Sequence, residues 1–313
     1  MKLSPIPSDA ASVRAIFPES LACLALGCTI FDTSSSPEAK VYRIDRCRDV
    51  TGNGDGFGNA TAFGDGRRIF LKTARPGRLR HEAVMTRFFH DRGLAAEVLM
   101  HETLPTPDND ADDGFSQRDW LITSEVKGKD CTHEMYLSDP KRLCQTLAAT
   151  LHLLKGMAID DFPILKHDNP LPLSWRNCSR ALNTLADNGD FVNDDSLCIN
   201  TDAHYYTDRF GNASIPEIAK VFQKHRHELS SDTIIHGDYC LPNIILDDWK
   251  LSGFVDMDST CLADQHVDVF WALWTLQFNL GTHEFDDRFL DAYGREFINE
   301  DALRAVAAAE VFG

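Results

Sequence analysis

The residues best suited to chemistry lie between Ile234 and Asp256. His236, Gly237, Asp238 and Asn243 make the pattern H-G-D-x-x-x-x-N, and Asp256 follows beyond an apolar stretch and a turn at Asp248 and Trp249. Such a combination arises by chance in well under about 1% of chains this long. A carboxylate, an amide and a second carboxylate in this order suit phosphoryl transfer from a nucleotide. One carboxylate orients and deprotonates the attacking hydroxyl, while the amide and the other carboxylate hold magnesium on the phosphates. Asp238 fits the first role; Asn243 and Asp256 fit the second. Upstream, Lys72 closes the apolar run Arg68-Ile-Phe-Leu71 and Glu82 opens a helical segment, so the pair can bridge and aim the ammonium at the α- and β-phosphates. If Asp238 were only a turn residue and Asp256 only a strand cap, the Lys72 and Glu82 partners would go unexplained.

These residues need a sheet and several helices to hold them. Strand-like segments occur at 40–45, 67–73, 97–104 and 119–126, each rich in Val, Ile, Leu, Phe or Tyr. One helix is expected among them at 80–92, with Val84, Met85, Phe88 and Phe89 at helical spacing and Gly93 as the stop. After Val126 the pattern changes to long amphipathic helices. Asp139 caps the first, Pro140 sits in its first turn, and Leu143, Leu147, Leu151 and Leu154 run along one face. Ser214 and Glu217 form a capping box before Ile218, Val221, Phe222 and His225. Further helices are expected over 264–280, with Val267, Phe270, Trp271, Trp274 and Phe278 inward, and from Asn299 onward. Short strands at 234–235, 244–246 and 253–255 complete a small hairpin. No repeat is visible at a period of 20 to 50 residues.

The 313 residues carry 31 Lys and Arg against 48 Asp and Glu, a formal charge of −17. That field repels nucleic acid and anionic membranes and draws in cations. Hydrophobic residues at 43% and charged residues at 25% match a compact soluble fold rather than a disordered chain. The nine cysteines are odd in number, scattered and without a C-x-x-C pair, so neither a disulfide framework nor a zinc knuckle is signalled. Pro5, Pro7, Asp9, Arg14, Pro18 and Glu19 interrupt any signal-peptide core, and the chain is expected to be cytoplasmic.

Several other features carry less. The glycine-rich stretch from Thr51 to Gly66 fits neither a G-x-G-x-x-G nor a Walker pattern, and its Asp49, Asn53 and Asp55 lack the glutamate of a calcium loop; a hairpin tip is the simpler reading. The acidic run Asp108–Asp113 reads as a solvated loop. His225 and His227, two apart on a helix, are expected in solvent rather than on a shared metal. Trp271 and Trp274 read as core packing, and His236 as a ligand of backbone groups.

On Ala39-Lys-Val-Tyr-Arg43, Phe70-Leu-Lys72, Arg118-Asp-Trp-Leu-Ile-Thr-Ser-Glu-Val126, His236–Asn243, Ser252-Gly-Phe-Val-Asp256 and Ala263-Asp264 with Asp268, the chain resembles the aminoglycoside 3′-phosphotransferases. The resemblance runs in order from about Thr29 to Phe312, with the glycine-rich stretch as an insertion. It implies an α+β, protein-kinase-like bilobal fold. Residues 1–125 would be a small sheet-rich N-lobe with one inserted helix, and residues 126–313 a larger, mostly helical C-lobe. It also implies ATP, with GTP not excluded, and Mg2+ as cofactors. Ser34, Ser35 and Ser36 would lie over the nucleotide phosphates, Tyr42 would flank the adenine, and the backbone of Ser124 and Val126 would bond its edge. Lys72 with Glu82 would hold the phosphates, Asp238 would be catalytic, Asn243 and Asp256 would bind metal, and Asp268 would support the catalytic loop.

The family binds its cationic acceptors with carboxylates. Here the resemblance assigns Asn200, Asp202, Asp258, Glu310, Phe312 and Gly313 to the acceptor pocket. Ile199, Phe278 and Asn279 stand where acids are usual, Trp274 and Ser259 where arginines are usual, and Asp258 replaces a glycine. Gly313 displaces by one residue the carboxylate that Phe312 would otherwise carry. The expected activity is γ-phosphoryl transfer to a hydroxyl of an aminoglycoside or similar cationic amino sugar by a monomer or weak dimer. A kinase of another small metabolite, such as a choline-like compound, and a non-catalytic nucleotide-binding module are the alternatives.

Overall fold

The computed structural model describes residues 3–35, 39–45, 68–107, 114–163, 172–188 and 201–313. The glycine-rich stretch from Thr51 to Gly66 and the acidic run Asp108–Asp113 lie outside them, as do Ser36, Ile199 and Asn200. Two compact units emerge, one of Met1–Lys127 with Ser252–Asp258, the other of Gly128–Leu251 with Ser259–Gly313.

The first unit is built on a six-stranded antiparallel sheet. Its strands are β1 (Ser4–Ile6), β2 (Thr29–Asp32), β3 (Ala39–Asp45), β4 (Ile69–Ala74), β5 (Val98–Pro105) and β6 (Gln117–Ser124), in the spatial order β1-β2-β3-β4-β6-β5. Side chains alternate between the two faces, so each face acquires its own cover. One carries Ile30, Tyr42, Ile44, Leu71 and Trp120, sealed by α1 (Ala10–Ile16) and α2 (Glu19–Ala25) through Val13, Phe17 and Leu21. The other carries Ala74 and Leu121 against Leu79 and Ala83, which lead into and along α3 (Arg80–His90).

Helices α1 and α2 escape the sequence reading because each is only 7 residues long, too short for apolar periodicity to stand out. Their local signals are nonetheless present. The Asp9 carboxylate accepts the amides of Ala11 and Ser12, both at 3.0 Å, and Pro18 separates the two helices.

The second unit is mainly helical. It comprises β7 (Lys129–Asp130), α4 (Glu134–Leu137), α5 (Pro140–Lys155), α6 (Leu173–Asn188), α7 (His204–Phe210), α8 (Ile215–His225), β8 (Thr233–Ile235), β9 (Ile244–Asp247), the start of β10 (Lys250–Phe254), β11 (Cys261–Ala263), α9 (His266–Leu280), α10 (Asp286–Tyr293) and α11 (Glu300–Glu310). Leu143, Leu147, Leu151 and Leu154 are buried along α5, whose Asp139 cap accepts the Arg142 amide at 3.1 Å. At the start of α8 the Glu217 carboxylate accepts from the Ser214 amide at 2.8 Å, as half of the expected capping box. Strands β9 and β10 are joined by Asp248 and Trp249, both with positive φ (48° and 67°), the backbone of a tight hairpin turn. Among the described residues no helix is long and apolar enough to cross a membrane, and the seven described cysteines are free.

Two expectations are corrected. Phe278 points outward and is 69% exposed, and Trp271 and Trp274 are only half-buried. Helix α9 is apolar almost all round, so its periodicity does not single out an inner face. His225 is buried rather than solvated, with Nδ1 3.4 Å from the Asp301 carboxylate. It lies one turn beyond the buried Phe222 and so shares the inner face of α8.

Phe17 ties the helical cover to the sheet, its ring 5.1 Å from that of Tyr42 and 5.9 Å from that of Trp120. Phe17→Ala should therefore destabilise the protein by about 3–5 kcal/mol. Urea unfolding followed by circular dichroism would measure it; a loss under about 1 kcal/mol would mean that α1 contributes little to this core.

Candidate active site

In the first unit Lys72 lies in the middle of β4, opposite Val41 on β3 and Leu121 on β6. Its side chain therefore leaves the sheet on the α3 face. There Nζ meets Glu82 Oε2 at 2.8 Å and Asp256 Oδ1 at 2.9 Å. Glu82 is buried in the first turn of α3, where the helix dipole also favours an acid. Burial works against the Lys72 charge, but Glu82 and then Asp256 outweigh it and hold the ammonium above its ordinary pKa. A cation kept charged and fixed between two carboxylates is suited to receive the oxygens of an anionic ligand. Asp256 itself is half exposed and adopts a positive φ of 59°, a backbone region that a non-glycine residue occupies at a cost.

The other residues expected near the nucleotide fare differently. The Ser34 hydroxyl accepts the Val41 amide at 2.9 Å and so ties the chain just after β2 to β3; Ser35 is exposed beside it. Ser124 spends its amide on the Glu97 carbonyl at 3.0 Å, and its hydroxyl accepts the Glu97 amide at 3.0 Å. Val126, just beyond β6, is half-buried. Tyr42 is not brought to this side: it pairs with Leu71, not with Lys72, and its buried ring packs on Phe17 across the opposite face. A one-residue step along a strand reverses the face, which is why Val41 rather than Tyr42 shares the Lys72 side.

Asp258 was expected in the acceptor pocket, but it is ion-paired with Arg78 at 2.7 Å within the first unit. That partner was not evident from sequence, since 180 residues separate the two.

In the second unit the loop after β8 is held from below by Asp268 on α9. Its two carboxylate oxygens accept the His236 and Gly237 amides, each at 2.8 Å. Gly237 has φ +83°, and a Cβ there would fall 2.2 Å from the Ser259 carbonyl oxygen, so the loop tolerates only glycine. His236 is fully buried and its Nδ1 faces the Asp238 amide at 3.3 Å, the backbone role expected of it. Tyr239 anchors the next position by donating to the Leu147 carbonyl at 2.9 Å and by meeting the Thr150 hydroxyl.

The result is a half-buried Asp238 whose Oδ2 accepts from Asn243 Nδ2 at 2.8 Å, while the same nitrogen reaches the Asp238 carbonyl at 3.0 Å. Both of these bonds use the amide nitrogen, which leaves Asn243 Oδ1, a hard oxygen donor of the kind Mg2+ prefers. A carboxylate in a fixed orientation can accept a proton from a hydroxyl placed against it.

Farther along the second unit, Glu310 is buried at the end of α11 and accepts from Ser174 Oγ at 2.9 Å. Burial pushes its carboxyl up to about 7; Ser174 pulls it down and Asp238 adds to the rise. The Phe312 side chain is buried and its carbonyl accepts from Asn177 Nδ2 at 2.8 Å, whereas Gly313 is exposed. Asp202 is exposed at the start of α7, its Oδ1 facing the amide and Nδ1 of His204 at 3.0 Å each. Phe312 and Glu310 are thus brought together with Ser174 and Asn177 of α6, two residues for which the sequence suggested no role at this site.

Against known proteins, the model of a phosphotransferase enzyme family (APH) matches residues 49–308. A probable aminoglycoside 3′-phosphotransferase of Lactococcus lactis is 35% identical over 298 residues, 95% of each chain. Among solved structures, an aminoglycoside 3′-phosphotransferase of type VIII shares the fold at a TM-score of 0.65 and 20% identity, covering 94% of this chain and 97% of that one. An aminoglycoside phosphotransferase from Streptomyces rimosus, solved with ADP and streptomycin, gives a TM-score of 0.55 at 17% identity, covering 87% and 90%.

The raised Glu310 carboxyl has a consequence for stability. Its folded pKa of about 7 lies above the ordinary 4.5, so between these values the folded state holds the proton more tightly than the unfolded chain. Stability should fall as pH rises across that window, and Glu310→Gln should flatten the slope. Denaturant titrations at pH 5, 6 and 7 would check it, and equal slopes in both proteins would refute the assignment.

Proposed function

Because the chain belongs to the phosphotransferase enzyme family, we propose that it moves the γ-phosphoryl group of ATP, with Mg2+, onto a hydroxyl of an aminoglycoside. The observation that carries this reading is the orientation of Asp238, whose carboxylate is fixed by Asn243 and whose loop is fixed by Asp268. In this reading Asp238 receives the proton of the acceptor hydroxyl as its oxygen attacks phosphorus. The held ammonium of Lys72 orients the phosphate oxygens, and Glu82 keeps Lys72 in place. Asn243, through Oδ1, and Asp256 are the residues that would hold Mg2+. When bound, that ion neutralises charge on the phosphates and favours a leaving β-phosphate. Glu310 and Asp202 supply carboxylates for the ammonium groups of the acceptor.

A nucleotide role for the first unit and an acceptor role for the second follow from this division of side chains. The structure of the Streptomyces rimosus protein with ADP and streptomycin supports a nucleotide and a small cationic partner for this chain as well.

Asp238→Asn should keep nucleotide affinity while lowering turnover by roughly two orders of magnitude or more, since the proton acceptor is lost and the phosphate contacts stay. A coupled ADP-release assay across a panel of aminoglycosides tests both the reaction and the residue. Near-normal turnover by the variant would remove Asp238 from the role, and no ADP release by wild type with any aminoglycoside would overturn the reaction.

Asp256→Ala should weaken Mg2+-dependent nucleotide binding far more than Glu310→Ala does. Calorimetric titration of both variants with nucleotide and Mg2+ would show it; equal affinities would contradict the metal assignment.

A further inference from the structure

An aromatic assembly at the surface of the second unit has no part in the reaction as described. The Phe278 ring lies nearly parallel to that of Trp274, with centroids 5.0 Å apart and 13° between planes. Trp274 meets Trp271 edge-on at 5.5 Å, and Tyr205 from α7 leans on both, at 5.8 and 5.6 Å. Single exposed apolar side chains are ordinary on a protein surface, but a contiguous stack of large rings left partly in water marks a binding surface. Here the stack rises from half-buried Trp271 and Trp274 to the outermost ring of Phe278. Beside it a cleft is lined by Tyr205, Phe270, Leu273 and Trp274 together with Asp208, Asp286 and Arg209.

The place of this stack is as telling as its composition. Tyr205 follows Asp202 in the first turn of α7. The Asp202 amide donates to the Val311 carbonyl at 2.9 Å, next to Glu310, so the α7 end of the stack lies by these two acids, whose charges add to burial in pushing the Tyr205 hydroxyl up. The other end, at Phe278, reaches solvent. An apolar wall that begins beside carboxylates suits a guest with a cationic group at one end and a C–H face at the other. A pyranose ring bearing an amine has both: its axial hydrogens lie against aromatic faces, and its ammonium is drawn to carboxylates and ring quadrupoles.

We propose that Tyr205, Trp271, Trp274 and Phe278 form an aromatic wall that binds the apolar face of a sugar ring of the acceptor, with an ammonium directed toward Asp202 and Glu310, and so favours sparsely aminated amino sugars. The proposal rests on the amino-sugar reading given above. Stacking energy does not grow with the number of amines, whereas each further ammonium requires its own carboxylate. Among the described residues of the second unit, Asp286 is already held by Arg209 at 2.8 Å and His283 at 3.0 Å, so it is not open to a further ammonium.

The test titrates wild type, Phe278→Ala and Phe278→Trp with hygromycin B, which carries few amines, and with neomycin, which carries many. Calorimetry gives Kd, tryptophan emission reports on the stack, and ADP release is measured in parallel. Hygromycin B should change the tryptophan emission, its Kd should rise about threefold to tenfold in Phe278→Ala, and Phe278→Trp should restore it. Neomycin should bind wild type more weakly than hygromycin B. Equal hygromycin B affinity in wild type and Phe278→Ala, tighter binding of neomycin, or binding of neither would overturn the wall. ADP release that ignores Phe278 would remove the wall and leave the phosphotransferase reading standing. Phe278-dependent binding without ADP release would do the reverse.

Discussion

The candidate catalytic loop depends on one buried carboxylate. Asp268 is almost wholly removed from water, which would cost a bare anion several kcal/mol. Burial raises its carboxyl to about 6, while His236 and the two loop amides draw it back down. Those amides are the His236 and Gly237 N–H groups, which would themselves be orphaned inside the protein without it. The carboxylate and the loop therefore satisfy each other, and neither can relax alone. Gly237 is part of the same constraint, because the chain turns there against the Ser259 carbonyl with no room for a side chain. Helix α9 and strand β11 thus fix the backbone from which Asp238 and Asn243 project.

The ion cluster in the first unit follows a different logic. Lys72, Glu82 and Asp256 come from a sheet strand, a helix and the returning segment Ser252–Asp258, so their meeting also ties three pieces of backbone together. Gly253 takes part, since a Cβ there would come within 3.0 Å of the Leu94 carbonyl oxygen, and Phe254 donates its amide to that carbonyl at 2.7 Å. The Lys72 charge is already shared between two acids. A phosphate group alone would gain less from it than from a free ammonium, whereas a divalent cation accompanying the phosphate would supply further positive charge.

How much of this was legible in the sequence varies with how local the signal is. The loop His236–Asn243, the Asp139 and Ser214 caps and the turn at Asp248 and Trp249 are fixed by neighbours within a few residues, and they stand where the spacing put them. Lys72 and Glu82, ten residues apart, could be paired on chemistry alone. The Arg78–Asp258 bridge could not, because nothing local links residues so far apart. Tyr42 failed for a subtler reason: a strand's period of two makes a shift of one residue enough to move a side chain to the other face. His225 and Phe278 were misplaced on helices for opposite reasons, one polar on a buried face and the other apolar on a helix with no polar face to define inside from outside.

The acidic composition and the acceptor side chains answer separate questions. A net charge of −17 draws in any cation, but at physiological ionic strength such attraction fades beyond about 8 Å and does not count amines. Discrimination must come from groups in contact. In the second unit Asp202 faces His204, and Glu310 is so deeply buried that its carboxyl is pushed up to about 7. In the proposed reading, an ammonium that pairs with Glu310 would displace the carboxyl proton and regain the cost once, at one site. A second or third ammonium meets no equivalent partner among these groups and loses hydration without return. The long-range field thus draws in cations of any kind, while the proposed aromatic wall would favour those that bring little charge and much ring.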